Sequence, residues 1–191
     1  MRMFGRTTKI LAVVLLVGIV ATDALALEVA YQYRESRVKA AFLFNFTKFV
    51  TWPETAFGNS RSPLVLAVFD PELYAAVSES LAGRQVGGRV LEVRKVAGID
   101  EALDSHLLFI GAAEASRLDK LLAAVADRPI LTVSDIDGFA ARGGMVELFK
   151  EERKLRFGVR LAAVRKAGLN ISSEVLRLAS FVQGASRGEK R

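Results

Sequence analysis

The residues most suggestive of chemistry are the consecutive Asp104, Ser105 and His106, which include the single histidine of this 191-residue chain. An acid, an imidazole and a hydroxyl form the triad of many hydrolases, but a triad requires the three groups to converge in space. These residues lead into an apolar segment of strand length, and successive side chains of a strand point to opposite faces. Ser105 and His106 therefore cannot face each other, and we predict a structural role for His106.

Metal and phosphate sites lack their usual signatures. With one histidine and no cysteine, a transition-metal site would depend on carboxylates, and no E-x-x-H spacing supplies them. Neither Gly87-Gly88 nor Gly143-Gly144 belongs to a phosphate-binding glycine motif. Gly143-Gly144 precedes a strand, which indicates a tight turn with a positive φ. We therefore predict no catalytic residue, no metal site and no cofactor.

Ser134 and Asp135 follow an apolar segment, residues 130–133, that has the length of a strand. Proteins of the α/β class bind ligands at the carboxyl ends of their strands, so these two residues are a candidate ligand pocket. Serine and aspartate are also preferred helix caps. A purely structural capping role is the alternative.

Strands and helices alternate along the chain and would position these residues. Strand-like segments cover residues 64–69, 89–93, 107–110 and 130–133, and helical patterns cover residues 70–81 and 114–125. Asp70 and Pro71 have the residue types of an N-cap and a first helical position. This alternation predicts a parallel sheet with right-handed crossovers.

The pattern changes towards the C-terminus. Residues 145–149 and 155–159 alternate in polarity around a charged stretch, which predicts a hairpin at an antiparallel edge of the sheet. A last helix should begin after Ser172 and carry apolar residues as far as Val182. The predicted fold is therefore a single α/β domain with a mostly parallel sheet, flanking helices and an antiparallel edge hairpin.

The densest apolar segment outside the N-terminus covers residues 38–49 and predicts a helix that ends before Pro53. At about 100° per residue, one face carries Val38, Ala41, Phe42, Asn45, Phe46 and Phe49. We expect this face to be buried, so Asn45 would need a hydrogen-bond partner. Phe44 lies off this face and is a candidate for an exposed contact.

The N-terminal segment has the features of a signal peptide. Three basic residues precede an apolar run over residues 10–20, and Ala24-Leu25-Ala26 provides an A-x-A cleavage site. The run is shorter than the roughly 20 apolar residues of a membrane anchor. We expect export to the periplasm, with a signal peptide over residues 1–26, an α/β domain over residues 27–184 and a flexible tail over residues 185–191.

Composition excludes several functions. The formal charge is only +6, from 27 basic and 21 acidic residues, and the basic residues are scattered among acids. This pattern argues against nucleic-acid binding. The absence of cysteine excludes thiol catalysis and disulfide bonds.

Several sequence blocks, in one order along nearly all of the predicted domain, resemble the YfiR family. They are residues 38–49 with Trp52-Pro53, residues 107–110, residues 130–135 with Phe139, Gly143-Gly144-Met145, residues 155–157, residues 168–173 and residues 176–179. The resemblance implies a periplasmic α/β protein without enzymatic activity. Two positions depart from the family: Ser105, where relatives often carry cysteine, and Arg160, where asparagine is usual.

The function that the resemblance implies is repression by binding. The family's best-known member holds an inner-membrane diguanylate cyclase inactive by binding its periplasmic part, which limits cyclic di-GMP and biofilm growth, and an outer-membrane lipoprotein sequesters that repressor. We accordingly expect three partners, namely the periplasmic domain of an inner-membrane signalling protein, an outer-membrane lipoprotein and a second copy in a homodimer.

The residues that we expect to contact a partner are Phe44, Trp52, Phe139, Glu147, Phe149 and Arg160. Core packing is the alternative for each aromatic residue among them. Two other functions stay open. One is a small-ligand sensor with its pocket at Ser134 and Asp135, and the other is a hydrolase that uses Ser105, Ser134 or His106.

Overall fold

The computed structural model describes residues 31–184. The predicted signal peptide and the predicted tail lie outside the described residues. The chain divides into two units after Ser36, and residues 31–36 of the first unit are helical. The second unit, described below from Arg37 onward, is a mixed α/β domain, which confirms the predicted fold class.

Ten strands form within residues 37–184 of this unit. They are β1 (Val50–Thr51), β2 (Leu64–Val68), β3 (Gln85–Val86), β4 (Arg89–Lys95), β5 (Leu107–Ile110), β6 (Leu131–Ser134), β7 (Val146–Glu151), β8 (Lys154–Arg160), β9 (Asn170–Ile171) and β10 (Phe181–Gln183). Eight of them make one sheet in the order β3-β4-β2-β5-β6-β7-β8-β10. Five neighbouring strands, β4, β2, β5, β6 and β7, are mutually parallel. Antiparallel pairs add β3 to β4 and β8 to β7, and β10 lies parallel to β8.

In the described part of the chain, six α-helices connect and cover the strands, and two 3-10 helices form at Glu54–Ala56 and Ala112–Arg117. The α-helices are α1 (residues 37–49), α2 (Pro71–Leu81), α3 (Ile99–Ala102), α4 (Leu118–Val125), α5 (Leu161–Lys166) and α6 (Ser173–Leu178). As predicted, α2 begins with Asp70 at the N-cap, whose Oδ1 accepts a hydrogen bond from the Leu73 N–H at 2.8 Å, and with Pro71 at the first helical position. The separate pair β1–β9 is antiparallel and tethers the end of α1 to the segment before α6.

The two faces of the sheet bury separate cores because side chains alternate along each strand. On the first face, Leu107 and Val133 belong to one cluster with Phe46 of α1. On the second face, Leu108 belongs to another cluster with Leu121 of α4. Strands β2, β5 and β6 are buried along their whole length, as expected for parallel strands covered on both sides.

The buried stripe of helix α1 only partly matches the predicted one. Leu43 and Phe46 are at most 1% exposed, whereas Val38 is 46% exposed and Asn45 is exposed. The predicted face was therefore right for Phe46, but it was wrong for Val38 and Asn45, and Asn45 needs no buried partner. Apolar residues occupy almost every side of this helix, so periodicity could not select one face. Contact with Phe157 of β8, whose ring centroid lies 5.4 Å from that of Phe46, helps to fix the buried stripe.

The C-terminal segment also differs from the prediction. Helix α6 ends at Leu178, which is 73% exposed, and Val182 lies in strand β10 instead of in the helix. The chain turns extended at Ala179, and the Ser180 N–H then donates to the Phe157 carbonyl at 2.9 Å. The β7–β8 hairpin is antiparallel as predicted, but β10 covers the open side of β8 and becomes the edge strand.

Candidate functional site

The register of the β7–β8 hairpin places three of the predicted contact residues on the second face of the sheet. Glu147 pairs with Gly158, and Phe149 pairs with Arg156. Paired residues share a face, and Arg160 lies two positions beyond Gly158, so its side chain leaves the sheet on the same side. Residues spaced far apart in the sequence thus form one surface.

An aromatic pair lies at the centre of this surface. The rings of Phe149 and Phe181 stack with centroids 5.9 Å apart and an interplanar angle of 16°. The Phe181 ring lies directly over Gly158, where a Cβ atom would be only 2.0 Å from the ring. Both phenylalanines are half-buried, which leaves part of each ring in contact with solvent. The surface, here called the hairpin face, consists of Glu147, Phe149, Arg156, Arg160 and Phe181.

Two charged residues of the hairpin face hold one neighbouring turn. The Glu147 carboxylate accepts hydrogen bonds from the Gly138 N–H at 3.0 Å and the Ala140 N–H at 2.8 Å. The Arg160 guanidinium donates to the Ala140 carbonyl at 3.0 Å. Charge reversal at Glu147 or Arg160 would therefore disturb this turn as well as any partner contact. Phe149 is the cleaner position at which to test binding.

The other predicted contact residues lie elsewhere. Trp52 is 7% exposed, and its indole N–H donates to the His106 carbonyl at 2.9 Å. Phe139 is fully buried, with its ring against Gly144. A partner could reach neither ring without opening the core, so both serve packing. Phe44 is half-buried on α1, over the first face of the sheet, and is not brought together with the hairpin face.

Phe44 lies between two cations. Its ring centroid is 5.6 Å from the Lys48 ammonium and 5.1 Å from the Arg84 guanidinium. These contacts stabilise a half-exposed ring on the helix surface. Phe44 thus stays a predicted contact for a partner or a second copy, separate from the hairpin face.

The candidate ligand residues at the end of β6 have polar partners within the protein. The buried Ser134 hydroxyl donates to the Ile110 carbonyl at 2.6 Å and accepts from the Ile136 N–H at 3.0 Å. No helix begins at this point in the described part of the chain, so the hydroxyl closes a turn instead of capping a helix. The Asp135 carboxylate forms an ion pair with Lys39 of α1, with 2.6 Å between Nζ and Oδ2. Its Oδ1 atom is buried and has no hydrogen-bond partner within residues 31–184.

His106 links three backbone segments. Its Nδ1 accepts from the Val65 N–H at 3.0 Å, so the proton resides on Nε2, which donates to the Ala56 carbonyl at 3.1 Å. Its ring stacks on Phe57 at 4.4 Å. Burial lowers the pKa of His106 below its usual value, and the nearby positive charges of Arg89 and Arg94 lower it further. The hydrogen bond to the Ala56 carbonyl acts in the opposite direction and raises the pKa, but the net shift favours the neutral imidazole.

No nucleophile–base pair forms around this histidine. The Ser105 hydroxyl donates to the Ala102 carbonyl at 2.7 Å, and both imidazole nitrogens of His106 are engaged by backbone groups. The structural role predicted for His106 agrees with these contacts. Within the described part of the chain, no group of three or more His, Asp or Glu side chains is placed to hold a metal ion.

Sequence reasoning missed Phe181 because it assigned this position to the last helix. Two signals point to it in retrospect. Glycine inside a strand, here Gly158, often marks the close approach of another group. The segment Phe181-Val182 also combines an aromatic with a β-branched residue, as strands prefer.

Three comparisons relate the chain to known proteins. No curated protein matches the chain. It is similar to a conserved domain protein from Vibrio cholerae O1 biovar El Tor strain N16961, with a TM-score of 0.46, 13% identity and coverage of 62% of this chain and 54% of that one. It is also similar to the ABC domain in complex with L-Trp from Streptococcus pneumoniae, with a TM-score of 0.44, 11% identity and coverage of 63% and 55%. The chain thus spans about half the length of these two structures.

A family model described as DUF4154, YfiR/HmsC-like, matches residues 36–180. The match covers the α/β unit from the start of α1 to the residue before β10. Across residues 31–184, no helix has both the length and the apolar character needed to cross a membrane.

Proposed function

Since the chain belongs to the YfiR/HmsC-like family of periplasmic, non-catalytic regulators of cyclic di-GMP signalling, we propose that it represses a membrane-bound diguanylate cyclase by binding the cyclase's periplasmic domain. Family membership supports interaction with a membrane signalling protein in general. The specific partner and the contact surface are the proposal. The contact surface that we propose is the hairpin face.

The Phe149–Phe181 stack is the observation that carries this choice of surface. Aromatic side chains dominate the binding energy of many interfaces, particularly when charged groups surround them. Here the two rings are half-exposed and lie beside Arg156 and Arg160. The stack also fixes the orientation of both rings before binding, which reduces the entropy lost on association.

Repression by this route requires no chemistry on the regulator. A cyclase that exchanges between active and inactive conformations shifts towards whichever conformation the regulator binds more tightly. A difference of about 100-fold in affinity, or about 2.7 kcal/mol, would convert an evenly divided cyclase population to about 1% active. One aromatic anchor accounts for a free energy of that order.

The test replaces Phe149 with alanine in the full-length protein. Tagged wild-type protein should co-purify with membranes that contain the cyclase, and cellular cyclic di-GMP should rise when the gene is deleted. Phe149→Ala should weaken co-purification at least about tenfold and leave cyclic di-GMP as high as in the deletion. Tyr74→Ala is the matched control, since Tyr74 is a half-buried aromatic residue on α2, over the other face of the sheet.

Two results would separate the function from the surface. If deletion left cyclic di-GMP unchanged, repression of a cyclase would be disproved. If deletion raised it but Phe149→Ala repressed normally, the hairpin face would be the wrong surface, and Phe44→Ala would then test α1. The outer-membrane lipoprotein and the homodimer that the resemblance implies stay predictions, with Phe44 as the candidate contact between two copies.

A further inference from the structure

A cleft of about 540 Å³ opens between α4 and α5 and reaches Thr132 of β6. Its deepest lining residues are Val125, Thr132 and Met145, each at most 5% exposed. The Thr132 hydroxyl accepts a hydrogen bond from the Met145 N–H at 3.1 Å. The Thr132 oxygen at the bottom of the cleft therefore has a hydrogen-bond partner within the protein. The apolar lining residues are Leu122, Ala123, Val125, Ala126, Met145, Ala162 and Ala163.

The rim of the cleft is mainly basic. Arg142, Arg160 and Lys166 line it, together with a single acid, Asp119. Arg142 is paired with Asp119, with 2.8 Å between Nη2 and Oδ1. The hydrogen bond of Arg160 goes to a carbonyl oxygen, which leaves the positive charge of its guanidinium uncompensated by that contact.

The third basic residue of the rim, Lys166, forms only a weak ion pair. Its ammonium lies 3.4 Å from the Asp127 carboxylate, and both side chains are more than two-thirds exposed to solvent. Water and salt screen such a pair strongly. The residues that line the cleft thus include three cations and one acid around an apolar interior.

We propose that this cleft binds a small amphipathic anion, an unbranched hydrocarbon chain with one terminal carboxylate. The volume lies within the range of roughly 300–1,000 Å³ that small-molecule sites occupy. The bound hydrocarbon chain would exclude water from the apolar lining of the cleft, which favours binding. The carboxylate accepts hydrogen bonds from the Arg160 guanidinium, whose planar donors match its two oxygens.

This site is distinct from the one first predicted at Ser134 and Asp135, and its binding does not depend on the proposed repression. Arg160 is common to the cleft and to the hairpin face, but the experiment below measures ligand binding by the isolated protein. Its failure would leave the cyclase proposal untouched.

The test measures decanoate binding by isothermal titration calorimetry, below the concentration at which decanoate forms micelles. Decan-1-ol and decyltrimethylammonium serve as neutral and cationic probes with the same chain. Ala123→Trp fills the cleft from an exposed position of α4. Its matched control is Ala124→Trp, which adds the same ring to the same helix at an exposed position outside the cleft lining.

The charge is tested by Arg160→Gln against Lys120→Gln, an exposed α4 position that does not line the cleft. Decanoate should bind saturably with one site, Ala123→Trp should abolish this binding, and Ala124→Trp should preserve it. Arg160→Gln should weaken decanoate about tenfold or more and leave decan-1-ol unchanged, whereas Lys120→Gln should change neither.

Four results would overturn the proposal. The first three are the absence of saturable decanoate binding, equal binding by the wild type and Ala123→Trp, and binding of decyltrimethylammonium as tight as that of decanoate. Equal weakening by Arg160→Gln and Lys120→Gln would also overturn it, because a diffuse surface potential would then explain the preference for anions. Circular dichroism of each variant confirms that a loss of binding does not reflect unfolding.

Discussion

Gly158→Ala tests whether the Phe181 ring is held against the β8 backbone as the structure shows. A Cβ atom at this position would lie 2.0, 2.1 and 2.4 Å from three carbons of the ring, whereas ordinary carbon–carbon contacts are about 3.5–4.0 Å. The ring must therefore retreat by about 1.5 Å. Gly158 is not among the described residues with a positive φ, so alanine introduces no backbone strain of its own.

The expected cost combines three contributions. Overpacking typically costs about 1–3 kcal/mol, and partial loss of the stack with Phe149 removes some of the roughly 0.5–1.5 kcal/mol that an aromatic pair provides. Alanine also restricts the unfolded chain, which stabilises the protein by about 0.4–1 kcal/mol. We expect Gly158→Ala to lower the free energy of unfolding by about 1–2 kcal/mol.

A double-mutant cycle isolates the steric contribution. In a Phe181→Ala background the ring is absent, so Gly158→Ala should be neutral or should stabilise the protein by about 0.5 kcal/mol. Urea unfolding followed by far-UV circular dichroism measures all four free energies, and equal m-values would show that the unfolded states are comparable. If Gly158→Ala destabilised both backgrounds equally, the placement of Phe181 over Gly158 would be refuted.

Three further predictions concern stability. The lowered pKa of His106 means that folding favours the neutral ring, so its contribution is complete above about pH 6.5 and is lost as the pH falls through the folded-state pKa. Urea unfolding at successive pH values should show this loss, and an unchanged pH dependence in His106→Asn would contradict it. Glu152 and Arg153 form the hairpin turn with φ values of 48° and 62°, so Glu152→Asn with Arg153→Gly should raise the unfolding free energy by about 1 kcal/mol; no gain in the urea midpoint would refute this. Asp70→Ala should cost about 1 kcal/mol by removing the cap of α2, and Asp70→Asn, which retains a capping oxygen, should lose less in the same assay.

The local elements of this fold follow from the sequence alone. Continuous apolar segments identify the buried strands β2, β5 and β6, because only strands covered on both faces tolerate such runs. The cap of α2 is encoded by Asp70 and Pro71, and the turn at Gly143 has the expected positive φ, 110°. The alternation of side chains along a strand is also sufficient to exclude a Ser105–His106 pair.

The sequence did not predict how the residues of the hairpin face come together. The sequence proposed Glu147, Phe149 and Arg160 separately, and the register of β7 with β8 decides that they share one face. The sequence did not identify Phe181. Whether the chain forms helix or strand after Leu178 depends on the unpaired edge of β8, where the Phe157 carbonyl accepts a hydrogen bond from the Ser180 N–H. Strand pairing of this kind depends on residues more than twenty positions away.

The buried face of α1 shows the same limit. A helix with apolar residues on almost every side satisfies several amphipathic patterns equally well. Phe157 and the sheet beneath it select Leu43 and Phe46 for burial and leave Asn45 in solvent. The sequence alone determined which segments are helices and strands in most of the domain, because those preferences are local. Only the tertiary structure decided which faces meet, where the sheet ends and where the cleft lies, because these depend on contacts between distant parts of the chain.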